Sequence, residues 1–180
     1  MTEDNTKNLL TIELKDGTVE IELFPEDAPN HVERIKELAQ EGQYDGVAFH
    51  RVMEGFMAQT GDVKYGNSKD YDDNSVGTGG SDKPDLNAEF NERKHVRGTC
   101  SMARSSLPDS ANSQFFICFD TADFLDGEYT VWGQVIKGMD HVDQIKRGAS
   151  GSGSVTEPDI MKKVFSGESE GEPSAPAKED

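Results

Sequence analysis

A mainly β, antiparallel domain carrying two α-helices is the fold class this sequence predicts. Three observations predict it. Short runs alternate apolar and polar residues and are separated by Gly, Asp and Pro. An Asp-Gly pair sits between the first two runs, and only two stretches repeat apolar residues at helical spacing. At 180 residues the chain is long enough for one domain with a substantial core.

Leu9 to Leu14 (LLTIEL) and Thr18 to Leu23 (TVEIEL) flank Lys15-Asp16-Gly17, a strong hairpin signal. Leu10, Ile12, Leu14, Val19, Ile21 and Leu23 form its inward face. Pro25 and Pro29 then bracket an acidic turn. Asp27 is a candidate cap, Pro29 suits the first helical turn and Gly42 closes the segment. Val32, Ile35, Leu38 and Ala39 recur at helical spacing, which leaves His31 and Lys36 on the wet side without a role.

Residues 49–62 (FHRVMEGFMAQTGD) read as a strand, a glycine bend at Gly55 and a second strand. Alternation puts Phe49, Arg51 and Met53 on one face before the bend, and Met57 and Gln59 on one face after it. Arg51 therefore stands beside Phe56, Met57 and a neutral amide, with no acid in the immediate alternation. A surface arginine next to core residues fits the same pattern. His50 falls on the opposite face and reads as structural.

Residues 61–88 are rich in Gly, Asp, Asn and Ser and lack periodicity, the mark of a functional or mobile loop. Within it, Gly77-Thr78-Gly79-Gly80 lacks the lysine of a phosphate loop. Asp70, Asp72, Asp73 and Asn74 lack the central Gly and terminal Glu of a calcium loop, so no metal is expected.

Arg97 to Ala103 reads as a strand of small residues, followed by a turn-rich loop at 104–110. Ser113 to Phe119 is an aromatic strand with Phe115, Ile117 and Phe119 facing the core. Gln114, Phe116 and Cys118 face away. Gln59 with Met57, and Gln114 with Phe116, each offer an amide and an apolar group, which describes a groove for something partly apolar and partly peptide-like. A turn at Phe124–Gly127, a strand at Tyr129–Val135 with a structural Trp132, and a second helix carrying Met139, Val142 and Ile145 between Gly138 and Gly148 follow. Residues 148–154 read as flexible, and Asp159 to Phe165 as a closing strand. His95 and His141 fall on polar segments with no evident partner.

The formal charge is −17, from 35 acids against 18 bases, with pI near 4.5. This balance repels nucleic acid and anionic membranes, so neither is an expected partner. The acids run along the whole chain, as a halophilic adaptation to molar salt would place them. Cys100 and Cys118 show no metal-ligand spacing and are expected as buried free thiols. Residues 1–8 contain no apolar signal region and no run reaches membrane-spanning length, so a cytoplasmic protein is expected.

Taken together, F-H-R-V-x-x-G-F-M-x-Q-x-G-D at 49–62, G-T-G-G at 77–80, S-M-A at 101–103, S-Q-F-F-I at 113–117 and F-L-D-G at 124–127 resemble the cyclophilin family of peptidyl-prolyl cis-trans isomerases. The resemblance runs from about Leu9 to Phe165. It implies that family's closed antiparallel eight-stranded β-barrel capped by two α-helices, with residues 9–165 as the domain, 1–8 as a flexible N-terminus and 166–180 as a disordered acidic tail. It implies catalysis of rotation about Xaa-Pro bonds, assisting protein folding, with no cofactor or metal. Proline-containing peptides and unfolded or folding proteins are the implied partners of a monomer.

Residue by residue, the resemblance makes Arg51 the catalytic arginine and Gln59 the amide that holds it and contacts the substrate backbone. Phe56, Met57 and Phe116 line the proline pocket, with Leu125 at its edge. Ala103 and Gln114 extend the groove and Gly77 marks its far end. Arg104 stands where an asparagine is common, at a position whose backbone the family uses. Tyr129 replaces a common histidine and still donates a hydrogen bond. Phe124 replaces a tryptophan that contacts cyclosporin, which implies weak sensitivity to that drug. The loop between Val63 and Gly77 is longer than usual. A binding module that holds proline peptides without turning them over would not need Arg51, and a merely structural barrel would not need the groove.

Overall fold

The computed structural model describes residues 8–166. The expectations for residues 1–7 and 167–180 lie outside the described residues. Ser166, where the tail was expected to begin, still belongs to the last strand.

In order, the described residues form β1 (Leu9–Glu13), β2 (Thr18–Leu23), α1 (Pro29–Gln40), β3 (Val47–Ala48), β4 (Arg51–Met53), β5 (Met57–Thr60), β6 (Thr99–Met102), β7 (Phe115–Cys118), β8 (Val131–Lys137), α2 (Met139–Val142), β9 (Ile160–Met161) and β10 (Lys163–Ser166). A short 3₁₀ turn at Asp123–Leu125 precedes β8. Eight strands make one antiparallel sheet in the order β10-β1-β2-β8-β6-β7-β5-β4. The mainly β class with two helices is thus present, but the sheet is curled and open, because β4 and β10 do not pair. The chain just before each of those edge strands is joined instead. β3 pairs β9, Phe49 N–H donates to the Asp159 carbonyl, and Val52 N–H donates to that of Gly153.

The β1–β2 hairpin forms as its alternation requires, and all six of its inward residues are buried. Helix α1 covers them with Val32, Ile35, Leu38 and Ala39. At the centre Phe115 meets Trp132 edge-on at 5.2 Å and Tyr44 edge-on at 5.6 Å. Burying each such ring contributes on the order of 1.5–3 kcal/mol, and the Tyr44 hydroxyl is satisfied by the Ser113 carbonyl at 2.7 Å.

Four local expectations are corrected. Asp27 does not cap α1; it pairs with Arg93. The cap comes from Glu89, whose carboxylate accepts from the backbone N–H of Asn30 (3.1 Å) and His31 (3.0 Å) and bonds His31 Nδ1 at 2.6 Å. His31 is consequently buried, not on the wet side, because the 84–89 segment lies over that flank and also takes Arg34 through the Pro84 carbonyl. Phe49 and Arg51 do not share a face. The chain leaves the ladder between β3 and β4, so Phe49 enters the core while Arg51 is exposed. Finally, α2 is a single turn, since the N–H groups of Gln144 and Ile145 turn to the carbonyls three residues back, His141 and Val142, instead of continuing the helical ladder.

Both cysteines are buried free thiols. Burial raises the thiol pKa of Cys100, and that of Cys118 to about 12. Among the described residues no helix is long and apolar enough to cross a membrane.

Candidate active site

The register of three neighbouring strands assembles the site. Arg51 on β4 stands opposite Gln59 on β5, and Gln59 stands opposite Phe116 on β7. One row of the sheet therefore carries a cation, an amide and an aromatic ring, spaced by about 4.8 Å per strand. The next row is Met53, Met57 and Cys118. Side chains from these two rows face away from the main core and form a second apolar cluster with Ala122 and Leu125.

Arg51 is exposed and, among the described residues, meets no carboxylate. Its Nη1 donates to Gln59 Oε1 at 3.4 Å and its Nε to the Ser152 carbonyl at 3.2 Å. Because a guanidinium only donates, Gln59 must present its oxygen to Arg51 and its NH₂ to the other side. That NH₂ donates to Gln114 Oε1 at 3.0 Å, and Gln114 Nε2 donates to the Gly79 carbonyl at 2.9 Å. A directed chain of amides thus runs from the arginine to the long loop.

Beside Arg51 lies a pocket of about 130 Å³ lined by Phe56, Met57, Gln59, Ala103, Arg104, Phe116, Leu125 and Tyr129. Tyr129 stands edge-on to Phe116 at 5.9 Å. A second cavity of about 390 Å³ adjoins it across Gln59, Ala103 and Arg104, and is otherwise lined by residues 77–79, 105, 110 and 112–114. The structure therefore gathers Arg51, Gln59, Phe56, Met57, Ala103, Arg104, Phe116, Leu125 and Tyr129 around the smaller pocket. Gln114 and Gly77 lie in the larger one. Phe124 lines neither: the residue is 69% exposed and its ring tilts against Phe56 at 5.6 Å.

Two residues that sequence reasoning passed over hold the site in place. His95 is fully buried behind Phe116, stacked on it at 6.1 Å, with Nδ1 at 2.9 Å from Asp126 and Nε2 at 2.9 Å from Ser101 Oγ. Burial holds this imidazole below its ordinary pKa, against the opposing hydrogen bond and charge of Asp126. Nothing in the local pattern KHV shows this, because the partners lie on other segments. Asp62 is also fully buried. It accepts backbone N–H groups from Lys64, Tyr65, Gly77 and Gly79 and so ties both ends of the long loop to the end of β5. A Cβ on Gly79 would meet Asp62 Oδ1 at 2.5 Å, so glycine is required there. The Gly61-Asp62 pair closing the β5 motif was the available signal.

His50 lies outside the pocket, with its ring 3.5 Å from where a Cβ on Gly77 would be. Burial pushes its pKa down to about 4. Among the described residues no group of three or more His, Cys, Asp and Glu side chains is placed to hold a metal ion.

The family model for cyclophilin type peptidyl-prolyl cis-trans isomerase/CLD matches residues 9–165. A probable peptidyl-prolyl cis-trans isomerase of Brucella suis is 58% identical over 160 residues, covering 88% of this chain and 82% of that protein. A peptidyl-prolyl cis-trans isomerase of Helicobacter pylori is 41% identical over 141 residues, covering 77% and 80%. Among solved structures, a cyclophilin from Hirschia baltica superposes with a TM-score of 0.75 at 28% identity, covering 89% of this chain and 74% of that one. A cyclophilin type isomerase of Cryptosporidium parvum, determined in the presence of the dipeptide Ala-Pro, gives a TM-score of 0.77 at 26% identity and covers 89% and 99%. This chain belongs to the cyclophilin-type peptidyl-prolyl cis-trans isomerase family.

Proposed function

We infer that Arg51 is the catalytic cation of this isomerase and that the 130 Å³ pocket seats the proline ring. An Xaa-Pro bond prefers trans by only about 0.5–1 kcal/mol, while a barrier of roughly 18–20 kcal/mol separates the isomers because twisting removes amide resonance. No bond breaks, so neither nucleophile nor proton donor is needed. In the twisted state the imide nitrogen gains a lone pair, and a guanidinium directed at it, or at the swinging carbonyl oxygen, stabilises that state over either ground state. Phe56, Met57 and Phe116, with Leu125 at the edge, grip the ring while the preceding residue rotates past the arginine. A stabilisation of about 7 kcal/mol would give roughly 10⁵-fold acceleration.

One observation carries this reading: Arg51 is aligned by a neutral amide and a backbone carbonyl, and no carboxylate among the described residues takes up its charge. Proline-containing segments of unfolded or folding proteins in the cytoplasm are the substrates this implies. The bonds between residues 47–52 and 153–161 would make the curled sheet behave mechanically as a closed barrel. The deciding experiment is a protease-coupled assay on an Ala-Pro peptide with wild type and Arg51→Ala. Equal rates would remove Arg51 from the mechanism.

A further inference from the structure

The chain has six arginines, and four of them are paired with carboxylates: Arg34 with Glu37, Arg93 with Asp27, Arg97 with Asp143 and Arg147 with Glu54. The other two, which meet no carboxylate among the described residues, are Arg51 and Arg104, and they line the same pocket. Arg51 is accounted for by the isomerisation chemistry. Arg104 is not, since that chemistry needs only one cation.

Arg104 is held rigidly and left partly unused. Its Nε and Nη2 donate to the Glu128 carbonyl at 3.1 and 2.6 Å, its Nη1 donates to the Ser105 carbonyl at 3.0 Å, and its guanidinium lies 4.6 Å over the Tyr129 ring. A guanidinium carries five N–H donors in a fixed fork. With three engaged, two remain, on a group that neutral partners have already oriented. The side chain stands where the proline pocket meets the 390 Å³ cavity and lines both. Apart from Arg104, the named walls of that cavity are neutral: Thr78, Ser105, Ser110, Asn112 and Gln114 supply hydroxyls and amides.

We propose that this cavity is a subsite for an acidic side chain, with Arg104 as the residue that selects it. In an extended peptide, residues two apart point the same way and lie about 7 Å from each other along the chain. A proline in the small pocket therefore sends the side chain two residues away into the neighbouring cavity. An Asp or Glu there meets the two free N–H groups of Arg104 and the hydroxyls around it. The preference works against the rest of the surface, because a body of net charge −17 repels acidic peptides as a whole. The proposal rests on the proline ring occupying the Phe116 pocket.

The test keeps peptide composition constant and moves a single Glu along an Ala-Pro peptide through the positions from three before to three after the proline. Constant composition cancels the whole-body repulsion. Wild type is expected to show kcat/KM about two- to fivefold higher for one register two residues from the proline. Arg104→Gln is expected to lose that preference, and Arg104→Glu to favour Lys at the same register. A flat scan, or a register preference that survives Arg104→Gln, overturns the proposal. Arg51→Ala separates the two claims. If it turns over every peptide as fast as wild type, the underlying active-site reading has failed, whereas a flat scan with Arg51→Ala inactive removes only the acidic subsite.

Discussion

The two wells that share Gln59, Ala103 and Arg104 are built differently. The smaller has a floor of strand residues, Met57 and Phe116, which are buried and fixed by ladder register with β4 and β6 on either side. The larger is walled by loops at 77–79, 104–105 and 110–113, and its shape depends on side-chain bonds to backbone from Asp62 and Asn112. A proline ring is the same in every substrate, and a sheet can hold one unchanging shape. Neighbouring residues differ between substrates, and loops can be retuned one residue at a time without disturbing the ladder.

The sharpest way to break this comparison is Arg51→Ala. It is expected to reduce kcat/KM by about 10³-fold on every proline peptide, the scale of removing one oriented transition-state donor, while the unfolding midpoint stays near that of wild type. A loss that depends on the peptide's neighbouring residues would mean the two wells are not functionally separate. Next in size is Asp62→Ala, which leaves four backbone N–H groups without their acceptor and is expected to cost about 3 kcal/mol. Hydrogen exchange should accelerate in residues 62–79 and not in β7. Uniform acceleration across the sheet would contradict the division between loop-held and ladder-held walls.

Acid tests both wells together, because His95 backs one and His50 lies under the loop of the other. Both are held neutral by burial, with pKa below the ordinary 6.5, and His50 reaches about 4. The unfolded chain therefore binds protons first as pH falls, and stability is complete above about pH 6.5 and lost progressively below it. His50 alone accounts for up to about 3 kcal/mol by pH 4. His50→Gln should flatten the denaturation profile between pH 6.5 and 4, and an unchanged slope would show that the ring is not buried neutral. The smallest effect concerns the acidic surface. Raising KCl from 0.1 to 1 M shortens screening from about 10 Å to about 3 Å. The thermal midpoint is expected to rise as self-repulsion fades, and a fall would argue against salt adaptation.

What the sequence made legible follows from how local each cause is. The hairpin at Asp16-Gly17 and the two faces of β7 were readable because period-two alternation needs only neighbouring residues. Arg51 and Gln59 were placed by the same alternation, although the slip that sends Phe49 inward was not, since it depends on the 153–161 segment docking alongside. His31 and His95 were misjudged because each partner carboxylate sits at least 31 residues away. The open seam of the sheet was hidden for a similar reason, as no local pattern says whether the first and last edges meet.

Glu89 lies 58 residues beyond the helix turn it caps, and this has a consequence for biosynthesis. The ribosome makes α1 early, yet its leading amides and the His31 ring have only water in place of the Glu89 carboxylate until the middle of the chain has emerged. The helix therefore settles late, locked from outside by a segment not yet translated when its own residues leave the exit tunnel. Nascent chains halted just short of Glu89 should leave that first turn open to exchange, and those halted well past it should protect it.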